Sequence, residues 1–155
     1  MNEYKSLIDI NENPLNLFNK WFSKAKLKEI NDPNAMNLAT VSNDLKPTSR
    51  MVLLKSFNVD GFIFYTNLHS KKGEAIKNNP QVALNFYWKS LKRQVRIEGK
   101  AEVVAKEEAD QYFDTRPEES KISAWASNQS YELKNREELE KRIINFKKKF
   151  EGLKI

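Results

Sequence analysis

At 155 residues, 39% of them hydrophobic, the chain suits one domain with a real core and is too short to argue for two. Its 27 Lys and Arg against 21 Asp and Glu give a net charge of +6, which suits an anionic partner without deciding among a nucleotide, a nucleic acid and a small phosphate. There is no cysteine and a single histidine, His69, so disulfides, thiolate metal sites, cysteine nucleophiles and multi-histidine metal centres are excluded.

The opening Met1-Asn2-Glu3-Tyr4-Lys5 lacks the basic-then-apolar profile of a signal peptide, and no apolar run approaches membrane-spanning length. A soluble, cytoplasmic protein with no membrane partner is expected. Asn13-Pro14 starts a helix, Asn as cap and Pro at the first helical position, and Leu15, Phe18, Trp21, Phe22 and Ala25 then recur on one core-facing side. Asn31-Asp32-Pro33-Asn34 ends it. Strands are expected over Met36 to Val41, about Thr48 to Phe57, and Phe62 to Thr66, joined by polar Ser42-Asn43-Asp44 and by Val59-Asp60-Gly61, whose Asp-Gly tolerates positive φ.

Ser70 can cap a short helix reaching Lys77, which Asn78-Asn79-Pro80 terminates; Gln81 to Trp88 and Lys92 to Val104 read as two longer strands. A closed or nearly closed antiparallel barrel would bury five such strands without leaving edges. The remainder reads as helix. Lys106 to Thr115 gathers Ala109, Tyr112 and Phe113 before Arg116-Pro117 breaks it. A second short helix covers about Glu118 to Ala126, and Asn135-x-x-Glu138 resembles a capping box ahead of Leu139, Ile143, Phe146 and Phe150. No internal repeat, low-complexity segment or long linker interrupts the chain, and Lys147-Lys148-Lys149 reads as a solvated helix face.

Lys71 and Lys72 fall in the first turn of the short helix, where the macrodipole disfavours cations by roughly 0.3 to 1 kcal/mol each. An anion there would remove the conflict, with helix amides, two ammonium groups and the hydroxyls of Ser70 and Thr66 as donors; a solvated lysine pair is the alternative. Arg50 and Lys55 lie five apart on one strand and point to opposite faces, so they do not grip one atom. Either one is simply surface, or the strand serves two separate anions. Gln94, Arg96 and Glu98 alternate with Val95 and Ile97, the pattern of a strand with one solvated face. Tyr112 and Arg116 stand one helical turn apart and can face one ligand, with Ser120 following the break; Tyr112 can equally be core. His69 has no partner for a triad and reads as a turn residue.

Together, Arg50-Met51-Val52-Leu53-Leu54-Lys55, Phe64-Tyr65-Thr66-Asn67-Leu68, Ser70-Lys71-Lys72, Arg93-Gln94-Val95, Tyr112-Phe113-x-x-Arg116-Pro117 and Trp125-x-x-x-Gln129-Ser130 resemble the pyridoxamine (pyridoxine) 5'-phosphate oxidases. The resemblance runs from Pro14 to about Phe150, and pieces in the right order are more specific than any one short motif. It implies an antiparallel FMN-binding split β-barrel with flanking helices, mainly β within the α+β class, as a single domain over 1–155 that is truncated at the C-terminus relative to the family. It also implies a homodimer with FMN at the subunit interface.

Residue by residue, the resemblance implies that Arg50, Met51, Val52, Leu53, Leu54 and Lys55 line the flavin, and that Tyr65, Thr66, Lys71 and Lys72 hold it, largely at its phosphate end. Gln94, Gln129 and Ser130 match further flavin contacts; Lys55, Tyr112, Arg116 and Ser120 match residues that bind the substrate phosphate. No catalytic side chain and no metal are assigned. The implied reaction oxidises pyridoxamine or pyridoxine 5'-phosphate to pyridoxal 5'-phosphate, passing a hydride equivalent from C4' to the flavin, with oxygen as final acceptor and hydrogen peroxide as product.

The chain departs from the family's pattern in three places. The family continues into strands carrying a Trp, an Arg and an Arg-x-His, for which nothing before Ile155 is a counterpart. The N-terminal segment that covers the substrate is abbreviated, with Tyr4 as its match, and Lys71 stands where Arg is common, keeping the charge and losing the planar fork. Two rival readings follow. One is an FMN-binding barrel with little or no such oxidase activity or a different flavin reaction. The other is a basic nucleic-acid-binding barrel stacking bases on Phe62, Phe64, Tyr87 and Trp88, disfavoured because the cations sit at discrete phosphate-sized points and not along a stripe, so no nucleic-acid partner is expected.

Overall fold

A computed structural model describes residues 8–155, and Tyr4 lies outside the described residues. These residues form two compact units. The first takes the chain up to Thr40, Pro47–Tyr65 and Gln81–Gly99; the second takes Val41–Lys46, Thr66–Pro80 and Lys100–Ile155.

The first unit holds helix α1 (Pro14–Lys28) and the sheet of β1 (Ala35–Val41), β2 (Pro47–Phe57), β3 (Phe62–Phe64), β4 (Gln81–Trp88) and β5 (Arg93–Lys100), in the order β3-β2-β1-β4-β5. The Asn13 side chain accepts from the amides of Leu15 and Asn16, so α1 starts where the Asn-Pro pair predicts. It ends at Lys28, earlier than the Asn31-Asp32-Pro33 stop, because Glu29 turns extended and its carboxylate accepts from the amide and hydroxyl of Ser90.

Along β1, Met36, Leu38 and Thr40 are buried while the residues between them are half-buried; along β4, Leu84, Phe86 and Trp88 are buried. The antiparallel register sets Leu38 opposite Leu84 and Asn37 opposite Asn85, giving one apolar and one mixed face. Helix α1 covers the apolar face. Phe18 has ring centroids 4.8 Å from Phe57, 5.0 Å from Phe62, 5.3 Å from Phe86 and 5.8 Å from Trp88, an aromatic cluster of edge-on and tilted pairs. Trp88 also donates its indole N–H to the Pro33 carbonyl at 2.8 Å.

The expected strand limits move most in β3 and β5. Strand β3 stops at Phe64 instead of Thr66, and its pairing with β2 shifts by one residue between Leu54 and Ser56, placing a bulge at Lys55. Strand β5 begins after Lys92, which sits in the left-handed region at φ 50°, and ends at Lys100 instead of Val104; Ala101 N–H donates to the Pro80 carbonyl instead.

The second unit holds α2 (Lys71–Asn78), α3 (Lys106–Asp114), α4 (Glu118–Ala126) and α5 (Arg136–Phe150). Asn135 caps α5 by accepting from Glu138 N–H at 2.9 Å, but the Glu138 carboxylate turns to Arg142 at 2.5 Å, so half of the capping box forms. Trp125 of α4 meets Phe146 and Phe150 of α5 at 6.0 and 5.6 Å between ring centroids. Lys147, Lys148 and Lys149 are exposed, as expected of a solvated face. Among the described residues, no helix is long and apolar enough to cross a membrane.

Candidate functional site

In the helical unit, Ser70 caps α2 and is fully buried. Its hydroxyl donates to the Asn67 carbonyl at 2.6 Å and accepts from Gly73 N–H at 3.3 Å, fixing the loop that enters the helix. That loop packs so closely on the first turn that a Cβ at Gly73 would lie 2.2 Å from the Leu68 carbonyl oxygen. His69 is exposed, its amide bonded to the Asn67 side chain at 2.8 Å, as a turn residue should be.

Lys72 is only 8% exposed, an unusual place for an ammonium group. Its Nζ donates to Ser70 Oγ at 3.1 Å and to Gln129 Oε1 at 2.5 Å, both neutral acceptors. The Thr66 hydroxyl donates to the same Gln129 oxygen at 3.4 Å. Thr66, Ser70, Lys72 and Gln129, which the sequence spreads over three segments, therefore form one cluster at the start of α2. Lys71 is exposed at the same helix end, and Ser130, also exposed, adopts φ 72°.

First-turn amides, a near-buried ammonium and hydroxyl donors are the donor set that a phosphate monoester requires. The residues present fit the phosphate end of FMN on this ground.

In the sheet unit, Arg50 turns inward and is held from two sides. Its Nη1 donates to the Leu38 carbonyl at 3.0 Å and to Thr40 Oγ1 at 2.9 Å; its Nη2 donates to Thr48 Oγ1 at 2.7 Å. Burial pushes the guanidinium pKa down from its ordinary value. Lys55 is exposed, in the bulge, so the two cations do part as the strand alternation requires.

Between them, Met51 and Leu53 are exposed, Val52 is half-buried, and Leu54 is buried with its N–H and carbonyl both bonded to Asn34, at 2.9 and 3.0 Å. Leu54 thus serves the fold with side chain and backbone alike. Tyr65 is half-buried, and Gln94 is exposed with its amide donating to Asn85 Oδ1 at 2.8 Å.

The residues matched to a substrate phosphate flank the α3–α4 break. Tyr112, Arg116 and Ser120 are all half-buried, and the Arg116 guanidinium lies 5.6 Å from the Phe113 ring centroid. Lys121, which no motif singles out, brings its ammonium to 5.9 Å from the same ring. Lys121 follows Arg116 by five residues and Phe113 by eight, across the Pro117 break, so no helical spacing links them in the sequence. Glu74 and Tyr131 are likewise invisible to spacing arguments, yet they share a hydrogen bond of 3.1 Å.

Comparisons with known proteins point to one family. A family profile described as pyridoxamine 5'-phosphate oxidase matches residues 22–149. A pyridoxine/pyridoxamine 5'-phosphate oxidase of Pelagibacter ubique is 53% identical over 137 residues, covering 88% of this chain and 66% of that protein. One of Nostoc punctiforme is 49% identical over 150 residues, covering 97% of this chain and 70% of that one. The chain thus spans about two thirds of the length of these relatives.

Among solved structures, PhzG from Burkholderia lata superposes with a TM-score of 0.85 at 27% identity, over 92% of this chain and 71% of PhzG. A pyridoxamine 5'-phosphate oxidase-related, FMN-binding protein of Nostoc punctiforme gives a TM-score of 0.63 at 16% identity, over 84% of this chain and 73% of that one, and so shows the fold. The antiparallel sheet with flanking helices is that of the FMN-binding split barrels.

Proposed function

The chain belongs to the pyridoxamine 5'-phosphate oxidase family, and from that premise we propose that it binds FMN and oxidises pyridoxamine or pyridoxine 5'-phosphate to pyridoxal 5'-phosphate, oxygen being reduced to hydrogen peroxide. The observation that carries the reading is Lys72, a near-buried ammonium set among Ser70, Gln129 and Thr66 at the start of α2. FMN, when bound, supplies the acceptor for the hydride equivalent leaving C4' of the substrate. The protein's own part is to hold and orient.

Lys71, Lys72 and Thr66 would hold the flavin phosphate, with Gln129 and Ser130 beside them. Arg50, Met51, Val52, Leu53, Leu54, Lys55, Tyr65 and Gln94 would be the sheet unit's flavin contacts, on a strand that Leu54 also fixes in place through its bonds to Asn34. Tyr112, Arg116, Ser120 and Lys55 would take the substrate phosphate.

The test is reconstitution of purified protein with FMN or FAD, followed by peroxide release on adding pyridoxamine 5'-phosphate. FMN should bind more tightly than FAD, because a terminal phosphate dianion meets these donors better than a diester, and peroxide should appear with pyridoxal 5'-phosphate. Failure to bind FMN would overturn the reading. FMN binding without peroxide would favour a different flavin reaction, a reading kept open by PhzG, a structural relative solved with tetrahydrophenazine-1-carboxylic acid.

The same proposal includes a homodimer whose interface is the mixed face of the sheet. Met51 is 61% exposed and Tyr87 65% exposed there, and they line an open groove of about 400 Å³ with Asn37 and Asn85. Large apolar side chains grouped on one face favour burial by a partner surface. Light scattering should give twice the chain mass, and Tyr87→Glu should weaken association by roughly 30-fold or more, the scale of losing an aromatic anchor. A monomer that still holds FMN tightly would count against this interface.

A further inference from the structure

The turn that follows α4 is fastened to α2 at a second point, beyond the flavin contacts assigned above. Tyr131 N–H donates to the Asn128 carbonyl at 3.1 Å, closing a turn in which Ser130 takes φ 72°. That region is costly for a residue with a Cβ, on the order of 1 kcal/mol, so the turn relaxes unless something holds it. Two side chains flanking Ser130 do. Gln129 accepts from Lys72 on one side, and on the other the Tyr131 hydroxyl donates to Glu74 Oε1 at 3.1 Å. Both anchors are on α2, and Lys72 and Glu74 are only two residues apart.

We propose that Tyr131 and Glu74 form a latch that positions Gln129 and Ser130 for the phosphate end of the flavin. Tyr131 is a positioning residue and touches no flavin itself; the proposal rests on the FMN reading above. The partners are exposed, Tyr131 at 59%, so the bond adds little to the global stability of the chain. Its effect lies in restricting a strained turn, a small entropic and conformational cost that would otherwise be met when the ligand arrives. The Glu74 carboxylate holds the Tyr131 phenol above its ordinary pKa, so the donor, already protonated at neutral pH, keeps its proton further into alkaline solution.

Glu74 also brings negative charge to the helix end, and its removal alone would favour a phosphate. The decisive comparison is therefore between Glu74→Gln and Glu74→Ala, which lose the same charge while only Gln keeps an acceptor for Tyr131. By fluorescence titration of FMN, E74A should bind about fivefold more weakly than E74Q, the effect of one exposed charge-free hydrogen bond. In a Tyr131→Phe background that difference should vanish, and Y131F alone should weaken FMN by a similar factor while leaving the melting temperature of the flavin-free protein unchanged.

Equal affinities of E74A and E74Q, or a difference that persists in the Tyr131→Phe background, would overturn the latch. A fall in flavin-free melting temperature that parallels the loss of affinity would overturn it too, by making Tyr131 a structural residue. A parent protein that takes up no FMN would instead remove the reading beneath the proposal, and the proposal with it.

Discussion

Lys72→Met should lose FMN binding by about 2 to 3 kcal/mol, roughly 30- to 150-fold in dissociation constant, with little change of stability in the flavin-free protein. The two halves of this expectation have one origin. Lys72 is 8% exposed, so its charge has given up most of its water, and its donors reach the neutral oxygens of Ser70 and Gln129. An ammonium held this far from water is a strong charge-assisted donor, and a phosphate brought against it gains from the same desolvation. Methionine has a similar length and no charge. Its introduction removes the desolvation cost of the charge together with the interactions that offset it, and the oxygens left behind keep other donors: Gly73 N–H for Ser70 and the Thr66 hydroxyl for Gln129.

Titration of FMN into the variant, beside thermal melts of both flavin-free proteins, separates the two effects. Parent-like affinity would remove Lys72 from the phosphate grip. A melting temperature several degrees below the parent would mean that the buried amine serves the fold first.

What the sequence made legible was mostly local chemistry. Asn13-Pro14, Ser70 and Asn135 each announce a helix start because a cap acts over two or three residues, and all three side chains make the expected bonds to backbone amides. The Val59-Asp60-Gly61 turn forms as well, held by a residue the sequence reading did not single out: the Asn58 side chain accepts from the Asp60 and Gly61 amides. Where a distant residue decides the outcome, the sequence has no signal. Glu29 leaves α1 to bond Ser90, and the β2 bulge depends on which residues β3 offers.

The same division runs through the candidate site. Lys72 was legible as a first-turn lysine in the wrong place for the helix dipole, but its burial and its bond to Gln129, 57 residues away, depend on the packing of the helical unit. The motif resemblance supplied Gln129 and Ser130 without a reason. What the sequence does not show is the turn they share, tied to α2 on both sides of Ser130. Conversely, Leu54 has a structural duty that the motif does not announce, since its side chain is buried and its backbone bonds to Asn34.

Arg50→Ala should lower both stability and flavin affinity, and the size of the first effect follows from the bonds its guanidinium makes inside the sheet unit. Nη1 donates to the Leu38 carbonyl and to Thr40 Oγ1, and Nη2 donates to Thr48 Oγ1. Thr40 is 1% exposed, so water cannot readily replace the lost donor there. Its hydroxyl does retain Thr48 Oγ1 at 3.2 Å, which caps the penalty. A loss of about 1 to 3 kcal/mol in unfolding free energy is expected, measured by urea denaturation of the flavin-free protein. FMN binding should weaken by a further 1.5 to 3 kcal/mol or so if Arg50 also meets the flavin phosphate.

Arg50→Lys divides the two roles. Lysine keeps the charge but not the fork, so it reaches one of the three acceptors and recovers part of the stability, while a phosphate held bidentately by Arg50 would still be bound more weakly. Should R50K match the parent in flavin affinity and R50A fall below it, Arg50 acts on the flavin as a charge alone. Should R50A lose stability yet bind FMN as the parent does, the arginine that opens the motif is there to tie β2 to β1, and the phosphate is left to Lys71, Lys72 and Thr66.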